Sequence, residues 1–441
     1  MKYENSKSVI LIFLILVSII LTWNLWTYQP NFDMMESSND YVAEVTLKEK
    51  QELQEIITPD LVLFHHNGQH YGTTNAVEVD KMMDEIRKWS FYDIENYSDN
   101  VENIKELVHG NGNAEIVFPA DVPIEIYRSV LKFEEKRIPA FNFNRIIINV
   151  ENSEKGNGIV YFVSSDYQKV YMSHISPALL NEFNRNFFKN AVDYQAYFAF
   201  DASEQRTIFI PDGKLEMMEY KYLPVVLNSE AFKEALFSDP SFVQRGTISQ
   251  VEEYSDVSSK MTVDSNTNML LYINPNAESN YVENSYDLLM RSIDFINGHG
   301  GWTDPYRYVA KDEKRKSVKF RLYSTDGYPV FNESGMSEIQ EVWGRNEITK
   351  YVRPNIALEL PLTTEMAKVT VPSGSEALEF LKSRKSFKPE LLEQLVLGYR
   401  MTRAQDVNKL ILLEPSWFYR YNQEWGQITK EDLGGILHGL E

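Results

Sequence analysis

Cysteine is absent from the 441 residues. That excludes disulfides, thiolate zinc sites, cysteine nucleophiles, iron–sulfur clusters and a lipidated N-terminal cysteine, though it does not identify the compartment. Basic residues are in deficit: 44 Lys and Arg face 64 Asp and Glu, a formal charge of −20. Phosphate neutralisation needs clustered Lys and Arg, so this balance argues against a nucleic-acid partner. Gly-x-Ser-x-Gly, His-Glu-x-x-His, a Walker loop and Gly-x-Gly-x-x-Gly are all missing. The usual hydrolase, zincin and nucleotide-binding geometries therefore lack their carriers, and no catalytic residue or cofactor is expected. Apolar side chains, by contrast, are plentiful. A hydrophobic share of 43% and an aromatic share of 13% exclude wholesale disorder, and the length suggests about three domains.

The most informative stretch comes first. Lys2 and Lys7 precede the uncharged segment Ser8 to Tyr28. At ~1.5 Å per residue such a helix rises roughly 31 Å, matching a hydrocarbon core of about 30 Å. Bulky residues fill Leu21-Thr-Trp-Asn-Leu-Trp-Thr-Tyr-Gln-Pro30, where a signal peptidase needs small ones, so an uncleaved anchor is expected. Trp23, Trp26 and Tyr28 read as an interfacial belt. No Lys or Arg occurs between Gln29 and Leu47, whereas Asp33, Glu36, Asp40 and Glu44 do. The positive-inside rule then keeps the N-terminus in the cytoplasm and sends the bulk of the chain outside, as a single-pass protein of the cell membrane. Within the span, Ile10, Phe13, Leu14, Val17, Ser18 and Leu21 form one stripe at helical spacing, the face expected to meet a partner helix.

Beyond this anchor (1–30) the patterns predict an α+β protein. Amphipathic helices are expected over Asn75 to Trp89 and over Pro177 to Lys189, with Ser176 as N-cap. Strands are expected over Phe141 to Val150 and Gly158 to Ile175, so residues 31–192 read as one extracytoplasmic domain. Residues 193–280 read as a central domain: strands around Pro211-Asp-Gly213, a helix over Asn228 to Phe237, and a strand over Lys260 to Ile273. Residues 281–441 read as a duplicated unit of a helix followed by an antiparallel meander. Its first pass begins at Ser285 to Asn297. Its second begins at Ser375 to Ser383 and continues through Leu395 to Thr402, Leu410 to Leu413 and Trp417 to Tyr421.

Four local constellations invite a chemical reading. In His65-His66-Asn67-Gly68-Gln69-His70 the Asn-Gly pair predicts a two-residue hairpin turn that sets His65 opposite His70. Two facing histidines suit a metal, but no third ligand stands at a telling spacing, so the pair reads as solvent-facing at a hairpin tip. Ser129-Val-Leu-Lys132 and Ser98-Asp99-Asn100 mimic penicillin-binding motifs in reversed order, without Lys-Thr-Gly, and read as chance. Lys311 to Lys316 reads as a solvated loop. Trp417, Phe418, Tyr419, Tyr421 and Trp425 read as core and rim packing.

Several strings, in this order, resemble the YycH (WalH) family: Leu21-Thr-Trp-Asn-Leu-Trp-Thr-Tyr-Gln-Pro30, Ser324-Thr-Asp-Gly-Tyr-Pro-Val-Phe331, Ile348-Thr-Lys-Tyr-Val-Arg-Pro354, Gly398-Tyr-Arg-Met-Thr402 and Leu413-Glu-Pro-Ser-Trp-Phe-Tyr-Arg-Tyr-Asn-Gln-Glu-Trp425. The resemblance covers nearly the whole chain. It implies a membrane-anchored accessory regulator of the WalK/WalR two-component system of low-GC Gram-positive bacteria, without catalytic residues. It also implies later domains related to the sister protein YycI and to PepSY-type modules. Association with YycI and the sensor kinase WalK, partly through transmembrane helices, would tune kinase output over cell-wall metabolism. The alternatives from other classes are an envelope receptor for a wall fragment or peptide, and an envelope hydrolase or metal enzyme built on His65, His70, Ser129 and Lys132.

Overall fold

The computed structural model describes residues 17–18, 21–22, 48–154, 157–277, 284–359, 361–362, 366–404, 410–429 and 431–433. Residues 1–43 and 44–441 are two separate units. In the first, Val17, Ser18, Leu21 and Thr22 are helical, and the Thr22 hydroxyl donates to the Ser18 carbonyl at 2.8 Å. The remainder of the expected span, including Ile10, Phe13, Leu14, Trp23, Trp26 and Tyr28, lies outside the described residues. Among the described residues no helix is long and apolar enough to cross a membrane.

The second unit is α+β. Its first sheet is built from Leu61–His66 (β1), Gln69–Thr73 (β2), Ser90–Asn96 (β3), Asn113–Pro123 (β4), Lys132–Phe133 (β5), Asn142–Glu154 (β6), Asn157–Val163 (β7), Val170–Ile175 (β8), Gln195–Asp201 (β9) and Thr207–Pro211 (β10). Their spatial order is β10-β9-β2-β1-β4-β6-β7-β8-β3-β5. Side chains alternate across a strand, so each strand feeds two faces. Val62 and Phe64 share one face with Ile116, Ile146 and Ile148 in the main core. The helices Ala76–Ile86 and Pro177–Asn186 cover that face through Val79, Met82, Met83, Ile86, Leu180 and Phe183. Asn75 caps the first helix by accepting from the Val77 and Glu78 amides. Ser176 stands at the N-cap of the second without a side-chain capping bond; Pro177 fixes its first turn instead. The opposite face holds a small separate cluster of Val108, Ile147, Val163 and Val170 beneath the short helix Ile104–His109.

Pro211-Asp-Gly213 joins two strands, as expected, but not two partners. β10 pairs with β9, whereas Leu215–Tyr222 leaves for a second sheet and pairs with Ala367–Val371 and Ile411–Tyr421. Gly213, at φ +78°, makes this change of sheet. Ile411–Tyr421 is one strand, not two, and Pro415 lies inside it. Pro415 faces Tyr399, whose N–H turns away to the Pro329 carbonyl at 2.9 Å. That position asks nothing of the missing proline donor.

A third sheet has eight strands. Four run as a meander from Gln244–Ile248 to Met269–Ile273, so the strand expected over Lys260 to Ile273 is a hairpin of two. The other four, from Tyr306–Asp312 to Ile348–Pro354, join them where Ile348–Pro354 pairs with Met269–Ile273. The helix Ser285–Gly298 lies against this sheet, where the Trp343 indole donates to the Ser292 hydroxyl at 2.8 Å. The helix Gly374–Ser383, the start of the expected second pass, is followed by Leu392–Arg403, Ile411–Tyr421 and Glu424–Ile428 in the second sheet. Both passes run helix then antiparallel strands, with different strand numbers and different sheets. Lys316 is buried, so the 311–316 run is not wholly a solvated loop.

Candidate functional site: a buried histidine–glutamate cluster

Asn67 and Gly68 adopt φ values of +52° and +73°. Both central residues of a type I′ turn need positive φ, which Asn-Gly supplies at little cost. The resulting register sets His65 opposite His70 and His66 opposite Gln69, as the sequence predicts. Their exposure differs from expectation. His65 is only 1% exposed, and the pair is therefore not solvent-facing.

Sheet parity explains the burial. Leu63 faces Glu115 across the β1–β4 pairing, and Glu115 faces Ile147 on β6. His65, two residues from Leu63, thus shares the second face with Glu115, as does Arg145, which is opposite Val117. His70 faces Tyr197 on β9, and Phe209 on β10 faces Ala199, so the Phe209 ring arrives on the same side. The helix Ile104–His109 closes this face from above. Asn103 caps its start by accepting from the Glu106 amide. At the other end the Asn113 side-chain amide donates to the Leu107 and Val108 carbonyls at 2.8 and 3.2 Å, which fixes His109 over β4. A side chain at Gly110 would meet the Glu106 carbonyl oxygen at 2.2 Å, so the turn that drops the chain from His109 into β4 needs glycine.

Glu115 is the centre of the cluster and is 1% exposed. Its Oε2 lies 2.9 Å from His109 Nδ1 and 3.2 Å from His65 Nε2, while Oε1 accepts from Arg145 Nε at 2.5 Å. Arg145 also donates to Asn144 Oδ1 at 3.0 Å and lies 5.0 Å over the Tyr167 ring. His65 Nδ1 lies 2.8 Å from His70 Nδ1. Phe209 is an apolar wall, its ring centroid 4.8–5.0 Å from those of all three imidazoles. Burial pushes the Glu115 carboxyl upward, but His109 and Arg145, with the hydrogen bonds from His109 and His65, overcome it and hold the group well below the usual carboxylate range. Burial, then repulsion from His65 and His109, lowers His70 to about 4. A buried carboxylate with this many donors is a satisfied acceptor, and its paired lone electrons and the imidazole nitrogens also suit a metal ion.

The other singled-out residues do not join this site. The Ser129 hydroxyl donates to the Ile126 carbonyl at 2.7 Å and Ser98 to that of Val170 at 3.3 Å, so both are bound to backbone. Lys132 is exposed. Trp417 and Phe418 are buried, and Phe331 stacks on Phe418 at 4.0 Å beside Trp425, which is packing.

Comparison with known proteins decides the family. Models of the YycH protein's N-terminal and C-terminal domains match residues 4–191 and 205–432. The chain belongs to the YycH family. A curated relative, the two-component system WalR/WalK regulatory protein YycH of Bacillus subtilis (strain 168), is 25% identical over the full length of both chains. The crystal structure of YycH from Bacillus subtilis matches with a TM-score of 0.73 at 22% identity, covering 87% of this chain and 99% of the solved one. The YycH fold is therefore shared.

Proposed function

We propose that this protein is a non-enzymatic, membrane-anchored regulator of the sensor kinase WalK that acts together with a YycI-type sister protein to adjust cell-wall homeostasis. The observation that carries the reading is end-to-end similarity to a relative named as a WalR/WalK regulatory protein, with 100% of both chains aligned. The uncharged Ser8 to Tyr28 segment and the lysines before it support a single-pass anchor with the bulk of the chain outside the cell.

The physical action is a population shift. A kinase that interconverts between two conformations is biased by a partner with different affinity for each, by no more than that difference. In lipid, apolar burial gives no net drive for helices to meet, so packing and interhelical hydrogen bonds supply it. The stripe Ile10, Phe13, Leu14, Val17, Ser18, Leu21 carries a hydroxyl at Ser18, where a neighbouring helix can approach closely. The later, helix-and-strand portions of the chain are the YycI-like part and offer the extracytoplasmic contact. Co-purification of the full chain with WalK and YycI from membranes tests the assembly. Recovery of both partners supports it, and a chain that emerges without the kinase removes it.

A further inference from the structure

The sequence places two histidines face to face and supplies no third ligand near them; the fold supplies two. We infer that His65, His109 and Glu115 form a binding site for a divalent transition-metal ion of the zinc class, with His70 and Arg145 as positioning residues. One ligand atom from each of His65, His109 and Glu115 lies within 4.8 Å of the other two. Glu115 Oε2 is 2.9 Å from His109 Nδ1 and 3.2 Å from His65 Nε2, the spacing of neighbouring corners around an ion that binds nitrogen and oxygen at about 2.0–2.2 Å.

The donor set selects the metal. Two imidazoles and one carboxylate oxygen suit zinc and its first-row neighbours, whereas calcium and magnesium want six or more oxygens. Arg145 holds Glu115 Oε1, so the carboxylate binds through Oε2 alone. Three protein ligands leave a fourth position for water.

The surrounding contacts are those a ligand shell needs. The nitrogen of His65 that does not face Glu115 is 2.8 Å from His70 Nδ1, the outer contact that fixes a ligating imidazole's tautomer and ring orientation. Without an ion, His65 Nε2–H and His109 Nδ1–H donate to Glu115, and His70 Nδ1–H donates to His65. When the ion binds, each of the three imidazoles moves its single proton to its other nitrogen. His65 then donates to His70 and no net proton is lost. Phe209 keeps one side dry. The Arg145 charge opposes the ion's charge, which makes the site exchangeable rather than permanently filled.

Such an ion would pin three separate pieces together: the β1–β2 hairpin through His65, the covering helix through His109, and β4 through Glu115. The test titrates full-length, tag-free chain in detergent with Zn2+, and with Co2+ as the spectroscopic probe. One equivalent is expected, with the visible absorption of a low-coordinate Co2+ ion and a rise in melting temperature that EDTA reverses. His109→Ala and Glu115→Gln should each weaken binding at least tenfold with an unchanged circular dichroism spectrum. His70→Phe should weaken it about tenfold while keeping the Co2+ band position, as expected for a positioning residue. Should a variant misfold, zinc-edge X-ray absorption on the unmutated chain decides: two imidazoles at the ion support the site. No bound equivalent, no imidazole signature, or undiminished binding by folded His109→Ala and Glu115→Gln would overturn it.

Discussion

Tyr323 donates its phenolic hydrogen to Asp60 Oδ2 at 3.2 Å, joining residues 263 positions apart. Asp60 immediately precedes β1, and Tyr323 directly follows the strand Ser317–Leu322. Burial raises the Asp60 carboxyl from the usual 3.8 to about 6, against the opposing pull of Arg307 and the Tyr323 hydrogen bond. A group whose folded pKa is raised holds its proton more tightly when folded, so its stabilising contribution is complete below pH 3.8 and is lost as pH rises through 6. Asp60→Asn should therefore be more stable than the parent at pH 8, by up to about 3 kcal/mol, with the advantage disappearing near pH 4. Urea unfolding at the two pH values checks the sign; a variant that is weaker at pH 8 would show that the ionised carboxylate is instead well paired.

A second link ties the first described residues of the large unit to its later part. Asn297 accepts from the Gln51 amide at 3.0 Å, donates to the Gln51 carbonyl at 3.2 Å and accepts from the Trp302 indole at 2.8 Å. Lys48 reaches the Thr303 carbonyl at 2.7 Å beside it. Asn297→Ala should cost about 1–3 kcal/mol, because partly buried donors lose their acceptor. Hydrogen exchange at the Gln51 amide should accelerate in the same variant. Unchanged exchange would mean that the clamp is incidental.

Gly327 should tolerate no side chain. It sits at φ +88°, and a Cβ there would lie 2.4 Å from the Thr74 carbonyl oxygen and 3.1 Å from the Ala76 nitrogen. Gly327→Ala should therefore destabilise by at least ~2 kcal/mol, since both conformation and space oppose it. Thermal melts of the full chain read the loss; a shift of under a degree would contradict the packing of this turn against the start of the helix Ala76–Ile86.

Ser129→Ala and Ser98→Ala should leave kinase regulation unchanged, with a stability loss of about 1 kcal/mol for Ser129, whose hydroxyl makes one local backbone bond, and about 1–3 kcal/mol for Ser98, whose hydroxyl bridges the carbonyl and the amide of Val170. Loss of regulation with an unchanged melting curve would give one of these serines a role beyond structure.

Local signals were legible wherever one chain segment decides its own conformation. Asn67-Gly68 announced its turn and register, and the 3–4 spacing of Val79, Met83 and Ile86 announced its helix. Sheet assignment was not legible, because partner choice depends on residues far away in the chain. The strands on either side of Pro211 to Gly213 look like neighbours and belong to different sheets. The histidine cluster failed for the same reason. His109 and Glu115 are six residues apart across a helix end and a strand start, a spacing with no motif, and they reach His65 only through the β1–β4 register. Counting parity outward from the hairpin would have found Glu115 once β4 was known to be its neighbour. Leu410 to Leu413 and Trp417 to Tyr421 read as separate strands, yet they form one, because Pro415 between them faces a partner whose amide points elsewhere.

The most direct test of the regulatory account is autophosphorylation of WalK in proteoliposomes, measured with YycI and with or without this chain. In a matched version Val9 to Leu21 is exchanged for an unrelated apolar helix and both flanks are kept. The account predicts that the intact chain changes the phosphorylation rate and that the exchanged chain, equally inserted, changes it much less. An identical rate with and without the intact chain would contradict regulation of the kinase, and an equal effect from the exchanged chain would reduce the span to an anchor.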